Sequence, residues 1–389
     1  MARFNFVRAA AAITIALSVA VVLAMQAASA VLVGQPAVVA FGLSLWSGQG
    51  REQMAFARFS DGVTSVDQMA NAASAARQDA LSALAIEPYA TEAHVILALS
   101  QTTAEEGGKL VELAAKSNKR VLSLQGLLLQ DQLAASDAQG AIETLDKILR
   151  VHTARRNEFY QVLVKALVED ATVPVFAETL SNKTDWHEGF LYAALSVPEA
   201  LPNLALLRPQ IEVQDERIDR LLISRLAREG EPEKAAELYR LLSEQNQGGE
   251  AGCSQQWTSR FPPFDWALAD ESGFRAQASR DGSLLEVYVR SGKGGAVASR
   301  VFELPGGSFQ VTVRHSDITP RQAEGARLKV ACITNRRTLL DETLQPKGSV
   351  FEVPDPNSEC DYALVQLFAR AWTGSPAFTF EIEHIGIDS

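Results

Sequence analysis

Cysteine is scarce: the 389 residues hold three, Cys253, Cys332 and Cys360. No two of them stand close enough for a CxxC pair, which excludes a thioredoxin-like redox motif and a cysteine-rich zinc module. Histidine is nearly as sparse, and His94, His152, His187, His315 and His384 have no neighbour at a metal-binding spacing such as HExxH, so no metal site is expected. The chain lacks a GxSxG elbow and a GxxxxGK[ST] loop. It therefore carries neither the nucleophile turn of a serine hydrolase nor that phosphate cradle. Gly292-Lys293-Gly294-Gly295 reads as a hairpin loop between two strands, whereas a phosphate loop needs a helix to follow. His315, Ser316 and Asp317 are consecutive, and consecutive strand residues point to opposite faces, so they do not form a relay. Acidic pairs such as Asp215 and Glu216 fall on solvated helix faces without a matching second carboxylate, the arrangement glycoside hydrolysis requires. No catalytic residue and no cofactor is expected. The alternative is a glycan-active hydrolase or lyase whose groups converge from distant strands, which leaves no local motif.

Basic charge is also in deficit. Lys and Arg number 36 against 47 Asp and Glu, a net charge of -11. Nucleic acid is excluded as a partner, because phosphate binding needs a basic stripe that releases counterions. Anionic lipid surfaces are disfavoured for the same reason. A hydrophobic fraction of 47% and a charged fraction of 21% are those of an ordinary globular chain, long enough for two cores and a targeting segment.

Charge is absent altogether between Arg8 and Arg51, and Ala9 to Met25 is almost wholly apolar. With Arg3 and Arg8 before it and Ala28-Ser29-Ala30 after it, this run has the three parts of a secretory signal peptide. Extended to about Val33 it reaches the length of a membrane helix, so residues 1–33 read as either a cleaved signal or a membrane anchor. In both cases the arginines stay inside and the rest is exported, to the periplasm at the inner membrane or beyond it.

Residues 41–246 read as amphipathic helices joined by short polar turns. In the best unit Leu222 and Leu226 share one helical face, Gly230 lets the chain leave the first helix, Ala235 is small enough for close packing, and Tyr239 and Leu242 fill the groove behind it. A second unit has Leu128, Ser136 in place of the glycine, Ala141, Leu145 and Ile148. Ala76, Ala80, Ala83 and Pro88 read as the second helix of another. These spacings resemble the tetratricopeptide-repeat family in degenerate form, which implies a helical solenoid whose concave face holds a protein partner. The alternative is that the helices are only a spacer. Pro174, Pro198, Pro202 and Pro209 predict short, irregular pieces between Val173 and Ile211.

After Gln247-Gly248-Gly249 and Gly252 the pattern changes to short alternating runs, and residues 257–389 read as an antiparallel β-sandwich of eight or nine strands. Leu285, Val287 and Val289 alternate with Glu286, Tyr288 and Arg290, and Phe309, Val311 and Val313 with Gln310, Thr312 and Arg314. Further runs lie at Val297 to Leu304, Leu328 to Ile333, Phe351 to Val353, Tyr362 to Ala369 and Phe378 to Ile385. Cys332 and Cys360 fall in strand-like segments of one domain and are the candidate disulfide, with buried free thiols as the alternative.

Phe264-Asp265-Trp266, Leu304-Pro305-Gly306-Gly307 and the late cysteines resemble jelly-roll carbohydrate-binding-like domains of bacterial extracellular proteins. The whole order of features resembles alphaproteobacterial envelope proteins, some linked to exopolysaccharide export. That resemblance implies a non-catalytic envelope scaffold that binds a protein partner through its helices. The alternative is a carbohydrate-binding module on a helical spacer. For a glycan, Tyr288, Arg290, Arg314 and Trp372 are the candidate contacts, an aromatic ring stacking on a sugar while cations fix its polar groups. Against this, Trp266 and Trp372 fill a core or cover an edge, and the arginines form a solvated face.

Overall fold

The computed structural model describes residues 16–24, 47–182, 184–212, 215–246, 257–356 and 360–388. Of the expected signal or anchor, residues 16–24 are helical and exposed. The remainder of 1–33 lies outside the described residues, as do Cys253 and the stretch 247–256. Among the described residues no single helix is long and apolar enough to cross a membrane. Helices occupy the N-terminal half and two antiparallel sheets the C-terminal part, an α plus β architecture. The chain divides into two compact units, Met1–Phe159 and Tyr160–Ser389.

The first unit is a succession of helices: α1 (Gly48–Gly62), α2 (Met69–Leu84), α3 (Thr91–Leu99), α4 (Ala104–Ser117), α5 (Leu122–Ala134) and α6 (Ala138–Val151). Ser47 and Asp137 cap α1 and α6 by accepting from the backbone N–H groups of Gly50 and Gly140. Such a cap satisfies a donor that the first helical turn leaves unpaired. The buried face of α2 is alanine at 72, 73, 76, 80 and 83, with Ala55 and Phe59 of α1 and Ala93 and Ile96 of α3 in the same cluster. Alanine adds bulk of only one methyl, so neighbouring helices approach closely. Ser136, in the α5–α6 turn, has φ 57°.

Helix α7 (Arg156–Leu167) spans the division, and α8 (Val173–Ser181), α9 (His187–Leu195), α10 (Leu201–Leu207), α11 (Glu216–Arg228) and α12 (Pro232–Asn246) follow. The prolines cut this run as the sequence predicts. Pro174 and Pro202 each stand at the start of a short helix, and Pro198 and Pro209 lie in single 3-10 turns. There the missing N–H removes no helical hydrogen bond. Buried Arg208 secures the run by donating to both carboxylate oxygens of Asp219 on α11, at 2.5 and 2.9 Å, and to the carbonyl of Ile211. Gly230, between α11 and α12, has φ 89°, the left-handed conformation open to a residue without Cβ.

The strands are β1 (Ala267–Leu268), β2 (Asp270–Glu271), β3 (Phe274–Ala278), β4 (Leu285–Val289), β5 (Gly294–Glu303), β6 (Phe309–His315), β7 (Ala326–Cys332), β8 (Thr338–Thr343), β9 (Ser349–Val353), β10 (Tyr362–Arg370) and β11 (Phe378–Asp388). They form a five-stranded sheet, β1-β5-β10-β7-β8, and a six-stranded sheet, β2-β3-β4-β11-β6-β9. Inward residues of both sheets make one core, including Val287, Val311, Val313, Leu328, Val365, Leu367 and Ile382. Each such side chain contributes roughly 1.5–3 kcal/mol on burial. The eleven strands exceed the eight or nine expected, because β1 and β2 have two residues each and β8 lacks apolar alternation. Cys332, the last residue of β7, forms a disulfide with Cys360, two residues before β10, their Cα atoms 5.7 Å apart.

Buried Asp265 joins α12 to the sheets. Its Oδ1 accepts from the Tyr239 hydroxyl at 2.8 Å and from Thr258 at 3.1 Å, and its Oδ2 accepts from the N–H groups of Arg260 at 3.1 Å and Phe261 at 2.8 Å. Tyr239 therefore serves the sandwich as well as its own helix pair, and its ring stacks on Phe264 at 5.4 Å. Burial, then the Asp265 carboxylate, push the Tyr239 hydroxyl pKa up. Arg260 adds a forked ion pair to Glu216 of α11 at 2.8 and 3.2 Å.

Two stability measurements check these accounts. Ser136→Gly relieves a left-handed backbone at a residue with a Cβ and raises stability by about 1 kcal/mol in urea unfolding; an unchanged midpoint would remove the strain argument. Asp265→Ala leaves several donors without their acceptor and lowers stability by about 3 kcal/mol, and a loss below about 1 kcal/mol would show that water replaces the carboxylate.

Candidate functional site

The outward face of the five-stranded sheet follows from register. Residues directly opposed on antiparallel strands share a face. Phe368 is opposed by Ala296 on β5 and by Arg327 on β7, which is opposed in turn by Thr343 on β8. Two residues along β10, β7 and β8, and three along β5 where the register shifts by a bulge, Ser299, Gln366, Lys329 and Asp341 make a second row. Since Leu367 and Ala369 point into the core, both rows point out. Four strands at about 4.8 Å spacing give a platform about 14 Å wide. Arg327 and Asp341 form an ion pair across it.

At one end of this platform lies a cavity of about 370 Å³ lined by Phe368, Arg370, Trp372, Arg327, Lys329, Asp341, Glu324 and the backbone at Gly294, Gly295 and Gly325. Trp372, in the β10–β11 connection, is 49% exposed. The Arg370 guanidinium lies over its ring, 4.4 Å from the centroid. Such a pair contributes about 0.5–1 kcal/mol at an exposed site and orients both groups. The connection is pinned: Ala371 N–H donates to the Lys293 carbonyl at 2.9 Å and Ser375 N–H to the Trp372 carbonyl at 3.0 Å. Arg370 N–H donates to the Gly325 carbonyl at 2.8 Å, and a Cβ at Gly325 would collide with the Arg370 carbonyl oxygen. Glycine is the residue this approach admits.

The four glycan candidates read from the sequence do not converge on one site. Trp372 lines the cavity. Arg290 opens the turn Arg290–Lys293, which holds the Trp372 connection through the Lys293 carbonyl. Tyr288 and Arg314 lie on the outward face of the other sheet. Tyr288 is opposed by Arg275, whose guanidinium lies over its ring at 5.8 Å, and Arg314 is opposed by His384. The error is one of pairing: alternation assigns a face within each strand and says nothing of which sheet the strand joins. Trp266, by contrast, is 1% exposed and packs on Trp257 in the core. Missed from the sequence are Phe368, Arg370, Arg327 and Lys329. The alternation of Ala326–Cys332 and Tyr362–Arg370 carries a signal for all four, but only strand pairing places them together.

Further cavities lie elsewhere among the described residues. One, about 630 Å³, lies among α4, α5 and α6 and is lined by Lys116, Lys119, Asp131 and Lys147, where burial raises the Asp131 carboxyl pKa. Another, about 750 Å³, lies where residues 384–388 run on beyond the β4 pairing, and includes Arg300, Glu303, His384 and Asp388. Burial, then the charge of Arg314, lower the His384 pKa, with Asp388 opposing them. His315 is buried and its Nδ1 bonds the Ser316 carbonyl, not Asp317. Among the described residues no group of three or more His, Cys, Asp or Glu side chains is placed to hold a metal ion.

No protein-family model matches the sequence, and no curated protein does. Among solved structures, the chain is similar to accessory secretory protein 1, 2 and 3 of Streptococcus pneumoniae at 12% identity, covering 30% of this chain and 85% of that one with a TM-score of 0.22. It is similar also to TmCBM61, solved in complex with β-1,4-galactotriose, at 14% identity over 31% of this chain and 86% of that one, again with a TM-score of 0.22. A TM-score of 0.22 is too low to assign a fold or a ligand.

His384 provides a pH test of its surroundings. Its folded pKa lies below the unfolded value near 6.5, so the native state binds fewer protons and stability falls as pH drops through that range. His384→Asn should flatten the decline in urea midpoint between about pH 7 and pH 5, and an identical slope in the variant would assign the decline elsewhere.

Proposed function

We propose that this protein is a non-catalytic carbohydrate-binding protein of the cell envelope, with the sugar taken at the Trp372 cavity of a jelly-roll-like sandwich. One observation carries this reading: an exposed indole, backed by Arg370, stands beside a cavity where cationic and polar groups converge on a rigid sheet. A sugar ring presents apolar C–H faces that stack on an aromatic ring and hydroxyls that need donors and acceptors, and this site offers both. The uncharged N-terminal run with its flanking arginines supports export, and the Cys332–Cys360 disulfide fits an oxidising compartment. Export at the inner membrane would place the site among envelope polysaccharides.

The helical part has a second role in this reading. Left-handed turns at Ser136 and Gly230, and buried Ala141 and Ala235 after them, support degenerate tetratricopeptide-like pairs. The charged cavity among α4, α5 and α6 is the surface on which a protein partner would sit.

Affinity electrophoresis of the full chain through gels containing envelope polysaccharide tests the proposal. Trp372→Ala should weaken retention about tenfold to a hundredfold, the effect of withdrawing one well-buried aromatic contact. Reducing ends should not accumulate during incubation. Retention unchanged by Trp372→Ala would move the sugar away from this cavity, and new reducing ends would make the protein an enzyme.

A further inference from the structure

Resting on the carbohydrate reading, we propose that the glycan taken at the Trp372 cavity is acidic, with carboxylates on more than one of its sugars. The chain as a whole has net charge -11, yet three cations line this cavity against two carboxylates. Asp341 is ion-paired with Arg327 through Oδ1, so that carboxylate is balanced within the sheet. Glu324 is exposed and lines the cavity as its second carboxylate, leaving one cation in excess. The cations outside that pair are Arg370 and Lys329, donors with no acceptor capacity, set among neutral Gln366, Ser299 and Thr343. A sugar hydroxyl is neutral and both donates and accepts, whereas a carboxylate is charged and only accepts, so cations in excess of carboxylates favour a ligand that carries carboxylates. The planar guanidinium of Arg370 matches a carboxylate in a fork.

Position extends the inference from one acid group to several. Trp372 and Arg370 stand at the same end, so a sugar stacked on the indole has its acidic substituent beside the guanidinium. Lys329 is opposed by Gln366, four residues back along β10, about 13 Å from the Arg370 position. Phe368 and the neutralised Arg327 lie between them. The two cations outside the ion pair thus address different sugars of one chain, with an aromatic ring in the intervening floor.

The test is titration calorimetry of the full chain with uronate oligosaccharides, namely oligogalacturonate, oligoglucuronate and oligomannuronate, each paired with its methyl ester. The ester keeps the ring and linkage and removes the charge. The acid form of at least one pair should bind about tenfold or more tightly than its ester, and this preference should shrink at high salt. Arg370→Gln and Lys329→Gln should each reduce the preference in part and together erase it, while residual ester binding persists. Trp372→Ala should weaken binding of both forms about tenfold to a hundredfold. Equal binding of acid and ester, weakened in Trp372→Ala, overturns the acidic ligand and leaves the carbohydrate reading standing. A preference that survives the double substitution overturns it too, because the carboxylates are then held elsewhere. Failure of every one of these oligosaccharides to bind the folded chain overturns the acidic ligand, and the carbohydrate reading falls with it if envelope polysaccharide does not retain the chain either.

Discussion

Asp265 is a buried carboxylate whose oxygens meet donors from α12, from Thr258 and from the backbone leading into β1. A buried carboxylate is tolerated only when its lone pairs are occupied, so four donors from two segments of chain are obliged to meet at one point. The last helix pair and the first strand are thereby fixed together within the second unit, with the Arg260–Glu216 fork and the Tyr239–Phe264 stack reinforcing the junction. β1 then pairs with β5, β5 with β10, and β10 with β7. The Trp372 cavity sits on that succession of pairings.

The five-stranded sheet separates two requirements by strand periodicity. Inward positions such as Leu328, Val330, Val365 and Leu367 are aliphatic and supply burial, whereas outward neighbours such as Arg327, Lys329, Gln366 and Phe368 stay on the surface of the sheet. Rigidity comes from backbone hydrogen bonds and from the close approach of Gly325 to Arg370, so the site needs little ordering when it is occupied. The aromatic platform is held at the end of a strand by its own guanidinium neighbour.

Much of the architecture is legible along the chain. Prolines at 174, 198, 202 and 209 announce the short helices because the imino ring leaves no N–H to donate. Alternation at Leu285–Val289 and Phe309–His315 announces strands with one buried face. β8 is not legible, since Thr338–Thr343 is half-exposed on both faces and has no apolar period. The site is less legible than the fold: Trp372 is visible as an aromatic in a loop, but Arg370, Lys329 and Arg327 look like ordinary solvated charges.

The sequence by itself determined the change from helical to strand periodicity, the net negative charge, and the cysteines available for pairing. These follow from local rules, in which a residue acts through its own dihedrals and its near neighbours. Tertiary structure alone decided that Tyr288 and Arg314 stand on a different sheet from Trp372, that Trp266 is core while Trp372 is exposed, and that Asp265 binds helix to sandwich. Each depends on which distant strands pair. That choice is set by the summed burial and hydrogen bonding of the whole sheet, a quantity no single segment contains.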